Sequence, residues 1–155
     1  MATHLKAGDL APEFSAVSTD GKIINLADYR GKKLVMYFYP MDDTPGCTKQ
    51  ACSLRDANAE IAARGAAILG VSAQGEESHQ RFTKKFSLNF PLLADTDLAI
   101  AKAYGVAGSG VGGLLRMLAK FSERVTFIID ETGKVADVIS DPNCPDHGAE
   151  VLALL

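Results

Sequence analysis

Cys47 and Cys52 stand five residues apart in the segment Phe38-Tyr39-Pro40-Met41-Asp42-Asp43-Thr44-Pro45-Gly46-Cys47-Thr48-Lys49-Gln50-Ala51-Cys52. An apolar, β-branched or aromatic run from Leu34 to Tyr39 stops at Pro40. A turn follows, and a helix is predicted to start near Thr44. Cys47 then lies in the first turn of a helix, just past the end of a strand. Free backbone N–H groups and the positive end of the helix dipole both favour thiolate, the reactive form of cysteine. A buried structural cysteine is the alternative. The context argues against it: a turn of Asp, Thr, Pro and Gly at a strand's C-terminal end is where open α/β sheets build their sites.

Cys52 has two readings, a core position on an amphipathic helix or a thiol that traps an oxidised Cys47. Helix geometry constrains the second. Five residues rise about 7.5 Å and rotate about 500°, which leaves the two Cα atoms roughly 8 to 9 Å apart. A disulfide needs less than about 7 Å. The pair can therefore bond only if the first turn or two unwinds. A Cys-x-x-Cys reductase has no such requirement.

The chemistry needs a scaffold. The chain has 155 residues, 47% apolar and 23% charged, and reads as one globular domain over 1–155. A net charge of -3 gives no reason to expect nucleic acid or an anionic membrane as partner. The start, Met1 to Lys6, has no apolar stretch of signal-peptide length, and no run reaches transmembrane length. A cytoplasmic protein is the expectation. Three cysteines in such a chain do not suggest a structural disulfide framework, which raises the weight of redox or catalytic use.

Phe14 to Val17 and Ile23 to Leu26, around Asp20-Gly21, read as a β-hairpin. Leu34 to Tyr39 and Ala66 to Ser72 read as buried strands, and Phe90 to Leu93 as a short one. Thr44 to Arg64 reads as a helix with Thr44 as N-cap, Pro45 as first residue and Gly65 as stop. Further helices are predicted over Glu76 to Phe86, Asp97 to Tyr104 and Asp146 to Leu155. Val125 to Ile129 and Val135 to Ile139 form a second hairpin. Strands alternating with helices predict an α/β fold, a mixed central sheet flanked by helices, with an N-terminal β-hairpin.

Other candidates carry less. Gly108-Ser109-Gly110-Val111-Gly112-Gly113 fits a dinucleotide pattern by letter but follows a helix, not a strand, and reads as a loop. Gln50-Ala51-Cys52-Ser53 lacks the final glycine of a caspase signature. His4, His79 and His147 show no metal spacing, so no metal or cofactor is expected. His147, at the start of the last helix, is expected at the surface. Cys144 in Asp141-Pro142-Asn143-Cys144-Pro145 is either an incidental surface thiol or an auxiliary resolving cysteine. Arg124, at the entrance of a strand, reads by itself as an edge arginine.

The segment Pro40-x-x-x-Thr44-x-x-Cys47 resembles the active-site signature of peroxiredoxins. The longer Tyr39 to Thr48 stretch with Cys52 resembles their Q-type branch, the bacterioferritin comigratory proteins. The likeness extends to Gly8 to Phe14, Leu69-Gly70-Val71-Ser72, Phe90 to Asp95, Tyr104-Gly105-Val106 and Arg124-x-Thr126-Phe127-Ile128-Ile129-Asp130. It implies a thioredoxin-like fold and thiol-dependent reduction of hydroperoxides without a cofactor. By position Cys47 matches the peroxidatic cysteine and Cys52 the helix-borne resolving cysteine. Pro40, Thr44 and Arg124 match the family's other active-site positions. Thioredoxin or a similar dithiol is the implied reductant, and a monomer is expected. Met41 departs from the pattern, as do Cys144 and the glycine-rich, then apolar, stretch from Ala107 to Glu123. A disulfide reductase of the same fold would want Cys-x-x-Cys, which is absent. A non-catalytic redox-sensing module is the other rival, and fast peroxide consumption would separate a peroxidase from it.

Overall fold

The computed structural model describes residues 3–107 and 121–155. The glycine-rich stretch from 108 to 113 and the apolar one after it lie outside them. Seven strands form two sheets. Strands β1 (Ser15–Val17) and β2 (Ile23–Asn25) make an antiparallel pair. The other five are β3 (Lys33–Phe38), β4 (Ala66–Ser72), β5 (Leu92–Ala94), β6 (Val125–Ile129) and β7 (Val135–Ile139). They form one mixed sheet in the order β5-β4-β3-β6-β7. Strands β3, β4 and β5 are parallel, while β6 and β7 are antiparallel to their neighbours. Among the described residues, the helices are α1 (Pro45–Ala63), α2 (Glu76–Phe86), α3 (Ala99–Ala103) and α4 (His147–Leu152). The expected thioredoxin-like α/β fold with its N-terminal hairpin is the one observed. No helix among the described residues is long and apolar enough to cross a membrane.

The central strand β3 shows why its sequence is apolar throughout. Its residues alternate between two cores on opposite faces of the sheet. Leu34, Met36 and Phe38 pack with Leu69, Tyr104 and Phe127 on one face. Val35, Tyr37 and Tyr39 pack with Ala51, Leu54, Ile61 and Phe82 on the other. The second face carries α1, and Cys47 belongs to its core. Strand β3 thus delivers the chain to Pro40 at the sheet's C-terminal edge. The apolar face of α1 then brings Cys47 back over that edge. Gly65, with φ +78°, ends α1 in the left-handed conformation that glycine adopts without strain.

Tyr37 and Gly70 are register partners on β3 and β4. A Cβ on Gly70 would come within 3.0 Å of the Tyr37 ring and 2.6 Å of Leu92 Cδ2. The missing side chain is what lets the Tyr37 ring pack against β4 here.

The last helix corrects one expectation. It is shorter than the predicted Asp146 to Leu155, and a 3-10 turn over Cys144–Asp146 leads into it. His147 is not at the surface: it is fully buried. Its Nδ1 lies 2.8 Å from Glu150 Oε1 and its Nε2 lies 2.8 Å from Thr126 Oγ1. The close approach of α4 to α1 explains the burial, since Gly148 N–H donates to Ser53 Oγ at 2.8 Å. A neutral ring satisfies both contacts, with Nδ1–H donating to the carboxylate and Nε2 accepting from the threonine. Burial pushes the His147 pKa down, outweighing the Glu150 hydrogen bond that pulls it up.

Two predictions follow from this packing. Gly70→Ala should push Tyr37 and Leu92 off their rotamers and cost about 1–3 kcal/mol, read as a lower urea midpoint with an unchanged m-value. His147 should make the fold acid-sensitive. With the folded pKa depressed, its contribution is complete above the unfolded value of about 6.5 and declines as pH falls below it. His147→Asn should flatten the fall in Tm between about pH 7 and about pH 5. An equally steep fall in the variant would mean another group governs it.

Candidate active site

The loop from Pro40 to Thr44 and the first turn of α1 carry the reactive segment. Thr44 is the N-cap residue by backbone geometry and Pro45 the first helical residue, as predicted. Thr48 N–H donates to Thr44 O at 2.8 Å, the first intrahelical bond. The N–H groups of Gly46 and Cys47 precede it and have no intrahelical carbonyl to bond. They stand free for a charge or an incoming oxygen beside the sulfur.

Thr44 caps the helix without its side chain. Its hydroxyl donates instead to Met41 O at 3.1 Å and closes the loop on itself. Pro40 O accepts from Gln74 Nε2 at 3.4 Å, and Tyr39 O accepts from Ser122 Oγ at 3.1 Å. The chain just past the strand end is thereby tied to the segments after β4 and before β6.

Arg124 is brought to the sulfur by the β3–β6 pairing, which sets Val125 opposite Phe38. Its Nη2 donates to Cys47 Sγ at 3.2 Å, and its Nη1 donates to Gln50 Oε1 at 2.7 Å. One guanidinium thus bridges the cysteine and a residue one helical turn further on. Gly46 makes room for it: a Cβ there would lie 3.3 Å from Nη2. The plain edge-arginine reading does not hold. A fixed cation donating to sulfur is an arrangement that stabilises negative charge there.

Cys47 is buried, with 1% of its surface accessible, whereas Cys52 is half-exposed. Both are free thiols on the intact helix α1. The structure therefore leaves the helical separation, roughly 8 to 9 Å between Cα atoms, in place. Tyr37 forms the uncharged floor of the site. Burial, and then the nearby Cys47, push its phenol well above the ordinary range. Cys144 is half-buried in its 3-10 turn, and burial also raises its thiol pKa. Among the described residues, no group of three or more His, Cys, Asp and Glu is arranged to hold a metal ion.

Four buried polar residues around the site carry no signal in the sequence. Gln50 is fully buried and holds Arg124. Asp42 looked like a turn residue, yet it is buried and accepts from Tyr39 Oη, Ser78 Oγ and the His79 ring. Ser122 and His79 offered no spacing signal, because their partners lie on other elements.

With this geometry in hand, the chain was compared with known proteins. The AhpC/TSA family model matches residues 7–138. The peroxiredoxin Bcp of Escherichia coli strain K12 is 40% identical over 148 residues, covering 96% of this chain and 94% of that protein. The crystal structure of peroxidoxin BcpB from Mycobacterium tuberculosis superposes with a TM-score of 0.84 at 34% identity, covering 97% and 96% of the two chains. The Xanthomonas campestris bacterioferritin comigratory protein, studied for its alkyl peroxide reduction activity, gives a TM-score of 0.80 at 31% identity, covering 90% and 88%. The buried cysteine at the helix start, the arginine on its sulfur and these likenesses agree: the chain belongs to the AhpC/TSA family, on its Bcp/peroxiredoxin Q branch.

Proposed function

We propose that this thiol peroxidase reduces hydrogen peroxide and organic hydroperoxides at Cys47, closes a Cys47–Cys52 disulfide, and is recycled by thioredoxin or a similar dithiol. The observation that carries the reading is the Arg124 guanidinium 3.2 Å from Cys47 Sγ, with Gln50 anchoring its other nitrogen. The Cys47 thiolate attacks one peroxide oxygen along the O–O axis. That bond breaks, and the other oxygen leaves as hydroxide or alkoxide and takes up a proton. Cys47 becomes a sulfenic acid. Arg124 and the free N–H groups at the helix start hold charge as it moves from sulfur to the leaving oxygen. Thr44 orients the incoming peroxide through its hydroxyl oxygen, whose proton is engaged by Met41. Pro40 contributes no N–H donor and shields the sulfur from water.

The near-complete burial of Cys47 favours this reading over a disulfide reductase. A slender O–O group can reach such a sulfur, whereas the disulfide of a folded protein cannot. In the second half-reaction the Cys52 thiol attacks the sulfenic sulfur and water leaves, so the disulfide forms before Cys47 can oxidise further. A dithiol then opens it by exchange. Both thiols lie on one helix, so the cycle needs no second chain, in keeping with a monomer. A cytoplasmic setting suits a disulfide that must be reduced at every turnover.

A charge-assisted hydrogen bond contributes about 1.5–3 kcal/mol. Arg124→Ala should therefore slow oxidation by hydrogen peroxide roughly ten- to a hundred-fold in stopped flow near neutral pH. Cys47→Ser should abolish it. An unchanged rate in Arg124→Ala would reduce the arginine to a packing role.

Disulfide closure should leave a conformational trace. Circular dichroism after one equivalent of peroxide should show lost helicity, and amides from residue 44 to 54 should exchange faster. Cys47→Ser protein should show neither change. Cys52→Ser should retain one turnover but accumulate over-oxidised Cys47 and recycle poorly with thioredoxin. Recycling at the wild-type rate would shift the resolving role to Cys144.

A further inference from the structure

Just before the reactive helix, the chain carries a buried carboxylate–imidazole pair that the peroxide chemistry does not use. His79 on α2 is fully buried, and the Asp42 side chain is 4% exposed. His79 Nδ1 lies 2.7 Å from Asp42 Oδ2, and Nε2 lies 2.9 Å from Leu93 O. A carbonyl oxygen only accepts, so Nε2 carries a proton. Asp42 already accepts from Tyr39 Oη at 2.6 Å and Ser78 Oγ at 2.8 Å. Burial pushes its carboxyl up, but the hydrogen bonds, with His79 foremost, outweigh this and hold it below the usual range. The His79 ring thus bridges this carboxylate and the Leu93 carbonyl. The Asp42 N–H completes the set by donating to Gln74 Oε1 at 3.0 Å.

The contrast at the next residue is sharp. Asp43 has φ +62°, a strained conformation for a residue with a side chain. Its carboxylate meets an exposed Lys85 at 2.8 Å, a kind of contact worth little. Thr44 then begins the helix cap by reaching back to Met41. A pinned residue, a strained one and the first turn of a helix that must open therefore follow one another. Position 43 is where a change of backbone angle relieves strain.

We propose that the Asp42–His79 pair is a positioning clamp that fixes the near side of a hinge at Asp43, setting how readily the Cys47 turn unwinds. The proposal rests on the Cys47–Cys52 disulfide reading above. With the clamp closed, Met41 stays in place to receive Thr44, the helix start is held, and Cys47 keeps its contact with Arg124. Unwinding is confined to the chain after residue 42, and β3 stays in register. With the clamp weakened, the helix start opens more often. The sulfenic acid then meets Cys52 sooner and a second peroxide less often. That second event, in which peroxide oxidises the sulfenic to sulfinic acid and leaves as water or alcohol, requires the closed turn.

Asp42→Asn removes the charge and retains the shape. Ser78→Ala, the milder variant, removes one of the three side-chain donors to the carboxylate. Hydrogen–deuterium exchange on reduced protein should be faster at amides 44 to 48 by about three- to ten-fold in Ser78→Ala and by more in Asp42→Asn. Amides of β3 and β6 should hold their rates. Oxidation of Cys47 by peroxide should slow in the same order. The sulfinic fraction at high peroxide, read by intact mass, should fall. Unchanged exchange at 44 to 48 in both variants, or faster exchange spread evenly through β3 and β6, would overturn the clamp. So would a sulfinic fraction that does not fall. The exchange measurement is made on reduced protein. If the wild-type chain forms no Cys47–Cys52 disulfide, that failure therefore shows separately from the fate of the clamp.

Discussion

A guanidinium held 3.2 Å from a sulfur 77 residues earlier in the chain is the contact on which the rest of this site depends. It requires β6 to run beside β3, so that the residue before Val125 emerges next to the end of Phe38. It requires α1 to start where β3 stops, and a glycine at 46 so that the guanidinium can lie against the first turn. It also requires Gln50 to accept the second nitrogen, which fixes the plane of the charge. A cation free to swing into water would be a weaker partner, because solvent would screen it and its ordering would cost entropy.

That geometry carries an opposing demand. Cys47 belongs to a packed core with Ala51 and Leu54, so the helix is bound along its inner face. The same helix keeps Cys47 and Cys52 too far apart to bond. The tension is eased locally. Pro45 and Gly46 make the first turn the least stable part of α1, since its N–H groups lack intrahelical partners. Beyond that segment, Ile61 keeps the rest of the helix tied to the sheet beneath. Reactivity and the capacity to open are placed in the same turn by the same feature, a helix start with unpaired donors.

The two buried histidines illustrate how tertiary partners decide what a ring must bond. His147 faces a carboxylate and a hydroxyl, which one neutral tautomer satisfies. His79 faces a carboxylate and a carbonyl, both of them acceptors. Their intrinsic chemistry is identical. What differs is whether the second partner can donate a proton.

Much of the fold was legible because its signals are local. The apolar runs at Leu34 to Tyr39 and Ala66 to Ser72, Pro40 as a strand stop, Pro45 as a helix start and Gly65 as its end each act over a few residues. The structure follows them within one or two positions. Cys47 was legible for the same reason, since a strand, a turn and a helix start fix its surroundings without long-range information. The lengths of short elements were less so, as α4 shows, because packing and not propensity decides where a six-residue helix ends. Arg124 as a partner of Cys47 entered through family likeness. Its spacing alone pointed to an edge residue. The burial of His147, Asp42, His79 and Gln50 has no local signal, because each is buried by an element far away in sequence. A polar side chain reads as surface until the fold supplies its partners. The chain's local grammar thus determined the elements and the position of the reactive thiol. Only the tertiary structure decided which charges meet it, since burial and pairing depend on contacts that no short window of residues contains.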